Sequence, residues 1–265
     1  MIELRNVSIV FNQGTVNENQ ALSNINLRVK EGDFITIIGS NGAGKSTLFN
    51  LIAGSLAPTQ GSIHVNDRNI TREPEYKRAK YIGRIFQNPL LGTASNMSVE
   101  DNMMITHKKG FKWQKRSLNH RMREYFKSEL VQLNMGLENR MKENLVMFSG
   151  GQRQALTLLM MVLSKPALIL LDEHTAALDP KNAQIVLELT NKFIKEFKLT
   201  AMMITHNMSH AIEFGNRLLM MDKGEIIFDA EGEAKKELTV EKLVNKFHEI
   251  RHKSFEDDKA LLSEE

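Results

Sequence analysis

The stretch GSNGAGKST, residues 39–47, is the part of the sequence that decides the fold. It follows an apolar, β-branched run at residues 34–38, which predicts a buried strand, and it precedes apolar residues at helical spacing from Leu48 to Ile52. Glycine at positions 39, 42 and 44 allows positive φ and lets backbone N–H groups approach a polyphosphate closely. The start of the following helix adds a partial positive charge beneath the phosphates. The sequence therefore predicts a strand, a phosphate-binding loop and a helix that together bind a nucleoside triphosphate.

Two side chains of this loop carry the chemistry of the pattern. Lys45 is placed to reach the β- and γ-phosphates, and the Ser46 hydroxyl is placed to bind Mg²⁺. A chance glycine-rich turn is the alternative, and the strand and helix on either side disfavour it. The residues predicted to bind the nucleotide here are Gly39, Ser40, Asn41, Gly42, Ala43, Gly44, Lys45, Ser46 and Thr47.

Composition excludes several classes of function. The chain of 265 residues contains no cysteine, which rules out disulfides, thiolate metal sites and thiol catalysis. The net charge of +3 is spread along the sequence, so charge alone does not indicate nucleic-acid binding. The acidic residue Glu3 argues against a signal peptide, and no apolar run approaches the roughly 20 residues that a membrane helix requires. We therefore expect any membrane-spanning partner to be a separate chain.

The order of predicted elements indicates an α/β fold. Residues 2–11 and 25–29 alternate as an antiparallel strand pair, and after residue 151 helices alternate with near-continuous apolar strands that are typical of a buried parallel sheet. Between them, a Ser-x-x-Asp cap at Ser98 and a helical stripe predict helices. The stripe consists of Leu118, Met122, Tyr125, Phe126, Leu130 and Leu133. We predict an α/β core with an N-terminal antiparallel β subdomain (1–87 and 163–238), an inserted α-helical subdomain (88–162) and a C-terminal helical extension (239–265).

Two further motifs point to catalysis. The run ALILLDE ends in two carboxylates at a strand exit, where Asp172 would hold Mg²⁺ and Glu173 would orient the attacking water. The run SGGQ, residues 149–152, opens a helix with free N–H groups and a hydroxyl, and is a second candidate anion site. The phosphates of one nucleotide do not need two such anion-binding sites, so the second site is expected to bind a nucleotide held by another subunit. The simpler alternatives are a solvated strand end and a flexible helix cap.

These motifs, in this order and spacing, resemble the nucleotide-binding subunit of ABC transporters. The resemblance rests on the phosphate loop, Gln87, FSGGQRQ at 148–154, ALILLDE, ALD at 177–179 and His206, and it covers residues 2–240. It implies the P-loop NTPase core of an ABC ATPase that uses ATP and Mg²⁺. Phe148 stands where the family usually has leucine, and we expect it to pack rather than to contact phosphate.

The resemblance also implies a role for single residues of the core. Phe11 would stack on adenine, and Gln87 would contact Mg²⁺ and the attacking water. Glu173 would be the catalytic carboxylate, and His206 would contact the γ-phosphate and support Glu173.

The signature motif, by the same resemblance, implies an assembly. Ser149, Gly150, Gly151 and Gln152 would close over the γ-phosphate of the opposite subunit. Asp179 would join the two sites. The implied unit is a head-to-tail homodimer with two ATP molecules between the chains.

The function that this implies is ATP-driven uptake of a small solute through a separate integral membrane permease, by a subunit on the cytoplasmic face of the membrane. DEHTAALDP at 172–180 and LLGTASNMSVEDN at 90–102 resemble import ATPases that are paired with branched-chain-amino-acid-type permeases and a substrate-binding protein. An exporter ATPase, a soluble ABC-type ATPase acting on ribosomes or DNA, and a kinase are the alternatives; we expect no nucleic-acid partner.

His174, in place of the usual proline, is expected to be exposed or packed rather than part of a metal pair with His206. The basic segment 108–116 has three alternative roles on sequence alone: a solvated loop, a contact with lipid or a permease, or a contact with RNA.

Overall fold

The computed structural model describes residues 1–107 and 118–249, which contain two β-sheets. The strands are β1 (Ile2–Phe11), β2 (Asn19–Val29), β3 (Phe34–Gly39), β4 (Gln60–Val65), β5 (Arg68–Asn69), β6 (Ile82–Ile85), β7 (Leu168–Asp172), β8 (Ala201–Ile204), β9 (Arg217–Asp222) and β10 (Glu225–Glu231). The first sheet has the order β2-β1-β4-β5, and the second has the order β10-β9-β3-β8-β7-β6. This confirms the predicted α/β class with an antiparallel N-terminal sheet.

Helices surround the second sheet and fill the middle of the chain. They are α1 (Lys45–Ala53), α2 (Glu75–Arg78), α3 (Val99–His107), α4 (His120–Val131), α5 (Gly150–Leu163), α6 (Pro180–Glu196), α7 (Met208–Glu213) and α8 (Glu233–Lys236). Residues 240–249 are also helical, and the Lys242 N–H donates to the Thr239 hydroxyl at the start of this helix. The basic segment 108–116 and the end of the predicted extension lie outside the described residues. Within residues 1–107 and 118–249, no helix is long and apolar enough to cross a membrane.

The central strands of the second sheet run parallel, and this brings the predicted motifs to one edge. β3 pairs in parallel with β8 and β9, and β7 pairs in parallel with β6 and β8. The phosphate loop follows β3, Gln87 follows β6, Glu173 follows β7 and His206 follows β8. Because the carboxyl ends of parallel strands share an edge, these four positions lie on one side of the sheet.

The antiparallel pair differs from the prediction at its second strand. β2 begins at Asn19, whereas the sequence predicted a loop over residues 12–20 and a strand from residue 25. Its first residues pair with the end of β1, with Asn19 opposite Phe11 and Gln20 opposite Val10. Backbone pairing with β1 thus decides the conformation of a polar segment that has low strand propensity. The consequence is that Asn19 and Gln20 lie beside the phosphate loop.

The predicted stripe packs in or against the core except at one position, but the helix itself covers only His120–Val131, so Leu118 and Leu133 lie just outside it. Phe126, Leu130 and Leu133 are fully buried in a core that also contains Leu156 of α5 and Val186 of α6. Tyr125, in contrast, is 37% exposed. Consecutive helical residues do not share a face, so the position of Phe126 in the core turns Tyr125 towards the surface. The division into a core and an insert at residues 88 and 162 stays a prediction.

A buried arginine stabilises the end of the helix that follows the phosphate loop. Arg78, at the end of α2, is 1% exposed and donates to the carbonyls of Leu51 and Ile52 in the last turn of α1. Terminal helix carbonyls have no partner within the helix, so this guanidinium acts as a C-terminal cap. The sequence did not predict α2, which is only four residues long.

Candidate nucleotide and catalytic site

The phosphate loop has the conformation that its glycines permit. Gly39, Gly42 and Gly44 all have positive φ, and Gly44 is the N-cap of α1. A Cβ on Gly39 would lie 2.2 Å from the Met221 carbonyl oxygen, and a Cβ on Gly44 would lie 2.8 Å from that of Ala21. Both glycines are therefore required by close backbone approach as well as by φ.

The Lys45 side chain folds back against the phosphate loop. This side chain is buried, and its ammonium donates to the carbonyls of Gly39 at 2.8 Å and Ser40 at 2.9 Å. Burial lowers the pKa of Lys45, and the nearby carboxylates of Glu173 and Asp172 act in the opposite direction. The loop thus holds a positive charge close to two carboxylates, at the start of a helix.

A cavity of about 570 Å³ lies over this loop. Its lining comprises Phe11, Asn19, Gln20, Ala21, Asn41, Gly42, Ala43, Gly44, Lys45, Ser46, Thr47, Glu173, His206 and Lys223. The structure therefore brings together the predicted aromatic, most of the loop, the predicted catalytic carboxylate and the histidine. Gly39 and Ser40 lie at the base of the loop and do not line the cavity. Asn19, Gln20 and Lys223 were missed, because their segments are recognisable from sequence only as a loop and a turn.

Glu173 and His206 form a close pair at the edge of this cavity. His206 Nε2 lies 2.5 Å from Glu173 Oε1, and the two side chains are 50% and 17% exposed. Glu173 has a φ of 46°, in the left-handed region, where a non-glycine residue costs of order 1–3 kcal/mol. Its N–H donates to the Ile204 carbonyl of the neighbouring strand. Strain of this kind is common at functional sites, and here it directs a carboxylate towards the cavity.

A second cavity, of about 500 Å³, adjoins the first at Ser46 and Glu173. It is also lined by Gln87 and Asp172, so a hydroxyl, an amide and two carboxylates face one space. Oxygen donors of these types fit Mg²⁺, which proteins bind through one or two carboxylates together with substrate phosphates. Asp172 already has a partner, because Arg84 lies 2.7 Å from its Oδ2.

The signature segment caps α5 and lies outside the linings of both cavities. The Ser149 hydroxyl accepts from the Gln152 N–H, and the Ser149 N–H donates to the Gln152 side chain, which is a complete capping box. A Cβ on Gly151 would lie 2.8 Å from the Asn182 side chain, and Asn182 donates to Asp179, the N-cap of α6. Ser149 and Asp179 thus start adjacent helices.

Gln154 connects the signature helix to the edge of the sheet that carries Gln87 and Glu173, and the sequence alone predicted no role for it. It is fully buried and donates to the carbonyls of Phe86 at 3.2 Å and His174 at 2.7 Å. These residues adjoin Gln87 and Glu173. A polar residue within the apolar stripe of α5 was the available signal, since buried amides need partners.

Of the two alternatives for His174, the structure shows packing. His174 is buried, and its Nε2 lies 3.0 Å from the Thr190 hydroxyl. Burial lowers its pKa to about 4. His206 instead contacts Glu173, so the two histidines have separate partners. Phe148 is also buried, with the Arg140 guanidinium 4.2 Å from its ring centroid.

A parallel sheet with a glycine-rich loop after β3 and carboxylates after β7 defines the P-loop class of nucleotide-binding proteins. Residues 22–176 match the family model described as ABC transporter. The chain is 40% identical over 248 residues to a tyrosine transport ATP-binding protein of Clostridioides difficile, covering 93% of this chain and 98% of that relative.

Solved structures agree with this match. CbiO1 of Clostridium perfringens, part of the CbiONQ transporter complex, aligns with a TM-score of 0.75 and 25% identity over 94% of each chain. Dimeric MJ0796, an ATP-binding cassette bound to ADP and Pi, aligns with a TM-score of 0.69 and 27% identity over 87% of this chain and 98% of that one. This chain belongs to the ABC transporter family. It is an ATP hydrolase of the ABC type.

Proposed function

We propose that this chain is the ATP-hydrolysing subunit of an importer, which drives uptake of a small solute through a separate membrane permease. The observation that carries the proposal is that residues 41–47 of the phosphate loop, Glu173 and His206 line one cavity. An amino acid is the proposed cargo, supported by the similarity to a protein named for tyrosine transport.

In this proposal the first cavity holds ATP. The N–H groups of residues 41–47 and the Lys45 ammonium bind the phosphates, and the positive end of α1 adds to their stabilisation. Phe11, at the end of β1, stacks on adenine. Gly39 and Ser40 contribute by fixing the base of the loop, where their carbonyls hold Lys45.

Ser46, Gln87 and Asp172 would hold Mg²⁺ in the second cavity, where it would neutralise charge on the transferred phosphoryl group. Glu173 orients and polarises the attacking water. His206 fixes the Glu173 carboxylate through the 2.5 Å contact and reaches the γ-phosphate from the same edge. Hydrolysis in such sites depends mainly on positioning, so a rigid carboxylate is the main contribution of this chain.

We further propose a head-to-tail homodimer with two ATP molecules at the interface. Ser149, Gly150, Gly151 and Gln152 would bind the γ-phosphate of the partner's nucleotide, and Asp179 would contact the opposite site. This is supported by the position of the signature segment outside the linings of both cavities and by the dimeric structure of a related cassette.

The permease contact is proposed at a groove of about 290 Å³ between the sheet and the middle helices. Ile82, Phe86, Ile105 and Met161 give it an apolar lining, and Phe86 precedes Gln87. A helix of the permease bound in this groove would be displaced when the Gln87 segment moves. The chain would then lie on the cytoplasmic face of the membrane, with a substrate-binding protein on the other side.

Uptake by cells that lack this chain tests the proposal. Wild-type protein is expected to restore uptake of at least one labelled amino acid, whereas Glu173→Gln, expressed at the same level, is not. Unchanged uptake of every amino acid tested, together with co-purification on ribosomes or DNA, would favour the soluble ABC-type alternative.

A further inference from the structure

An arginine lies within a buried strand, beside the proposed metal carboxylate. Arg84 is the third residue of β6, between Gly83 and Ile85, and its side chain is only 13% exposed. A largely buried guanidinium is costly unless it is paired and hydrogen-bonded. Its partners therefore indicate what the residue does.

Those partners belong to the nucleotide site. Nη2 of Arg84 lies 2.7 Å from Asp172 Oδ2, and Nη1 donates to the Asn50 side chain at 2.6 Å. The pairing of β6 with β7 places Arg84 opposite Leu170, and Asp172 is two residues further along, on the same face. Because Asn50 belongs to α1, one guanidinium connects the phosphate-loop helix with both strands.

The same guanidinium also lies beside the groove. Its carbon is 4.8 Å from the Phe86 ring centroid, and Phe86 lines both the groove and the second cavity. Arg84 itself lines the groove. The residue therefore lies between the proposed permease contact and the proposed metal site.

The charges have a direct consequence for cation binding. A cation at Asp172 would share its carboxylate with a guanidinium 2.7 Å away, in a site where the carboxylate is only 15% exposed and screening is weak. The ammonium of Lys45 adds a second positive charge nearby, since Asp172 influences its pKa. Nucleotide phosphates would supply the negative charge that offsets both.

We propose that Arg84 is a positioning residue that holds Asp172 in the nucleotide-free protein and makes divalent-cation binding there dependent on nucleotide. This rests on the proposed role of Asp172 as the metal carboxylate. In the nucleotide-free protein the positive charge of Arg84 pairs with the Asp172 carboxylate and fixes its rotamer. A divalent cation therefore binds weakly when no nucleotide phosphates are present. Once phosphates are present, the carboxylate is already in place.

Binding of Mn²⁺ to the nucleotide-free, full-length protein, measured by electron paramagnetic resonance, tests this. Arg84→Met is expected to bind Mn²⁺ at least about fivefold more tightly than wild type, because the competing charge is gone. Arg84→Lys keeps the charge and should therefore bind Mn²⁺ less tightly than Arg84→Met. Arg123→Met is the matched control, because it removes the same charge from an ion pair with Glu100 that lines none of these cavities. If Arg84→Met does not fold, Arg84→Gln removes the charge and keeps an amide that can donate to Asn50.

The affinity of Arg84→Met for Mn²⁺, alone and combined with Asp172→Asn, decides between the possible outcomes. Mn²⁺ binding by Arg84→Met no tighter than by wild type, including none detectable in either, would overturn the inference. If Arg84→Met binds more tightly, adding Asp172→Asn must abolish the gain. A gain that survives in the double variant would mean that the cation lies elsewhere, and the proposed metal role of Asp172 would then be the part that is wrong.

Discussion

His206 Nε2 lies 2.5 Å from Glu173 Oε1, across the ends of two neighbouring parallel strands. Glu173 is the first residue after β7 and has a left-handed backbone, while His206 is two residues beyond the end of β8. The end of β7 therefore fixes the carboxylate through the left-handed backbone of Glu173, and the end of β8 fixes it through the side chain of His206. Regular pairing in a parallel sheet thereby gives the proposed catalytic carboxylate a defined position.

Removal of the imidazole is expected to leave the fold intact and to slow hydrolysis. In His206→Ala the Glu173 carboxylate loses the contact that orients it, and we expect kcat to fall by at least about 10²-fold, the usual range for a positioned acid–base pair. Steady-state ATP hydrolysis at saturating ATP and Mg²⁺ measures this. His210→Ala, on α7, is the matched control. Turnover of His206→Ala within about twofold of wild type would contradict the assignment.

Gln154 is expected to support both the fold and the activity. Gln154→Leu leaves the buried His174 carbonyl and the half-buried Phe86 carbonyl without this donor, and the buried group alone should cost about 1–3 kcal/mol of unfolding free energy. Urea unfolding measures the loss. Hydrolysis should also fall under conditions in which the variant is fully folded, because the segments of Gln87 and Glu173 lose their common anchor. Gln184→Leu, on the exposed face of α6, controls for the substitution type. If Gln154→Leu matched that control in both measurements, Gln154 would have no such role.

The sequence was most informative where function restricts the choice of residue. The phosphate loop and the strand that ends at Asp172 follow from local patterns, because apolar runs and glycines have few alternative explanations. Asn19 and Gln20 could not be found in the same way, because their strand forms only through pairing with β1. Arg84 was missed for a similar reason, since its partners Asn50 and Asp172 are distant in sequence and only the fold brings them together. Tyr125 shows the limit of periodicity, because α4 buries only one stripe and Phe126 occupies it.

The buried histidine predicts a pH dependence of stability. His174 has a folded pKa of about 4, against an ordinary value near 6.5, so between these pH values the unfolded chain binds one more proton than the folded chain. Stability from this group is complete above about pH 6.5 and is lost as pH falls towards 4, with a slope of at most about 1.4 kcal/mol per pH unit.

Urea unfolding between these pH values measures that slope. His174→Gln should make the slope shallower by at most about 1.4 kcal/mol per pH unit, the contribution of one proton. His120→Gln, at an exposed position, controls for the substitution type. Equal slopes for wild type and His174→Gln would show that the imidazole does not titrate as its burial requires.

The central claim is that each nucleotide is bound by the phosphate loop of one chain and the signature segment of another. The most direct measurement is the mass of Glu173→Gln by sedimentation, with and without ATP and Mg²⁺. The account predicts a monomer without nucleotide, a dimer with it, and no dimer when Ser149→Arg is added. A Glu173→Gln protein that stays monomeric with ATP and Mg²⁺, even together with its membrane partner, would contradict the account.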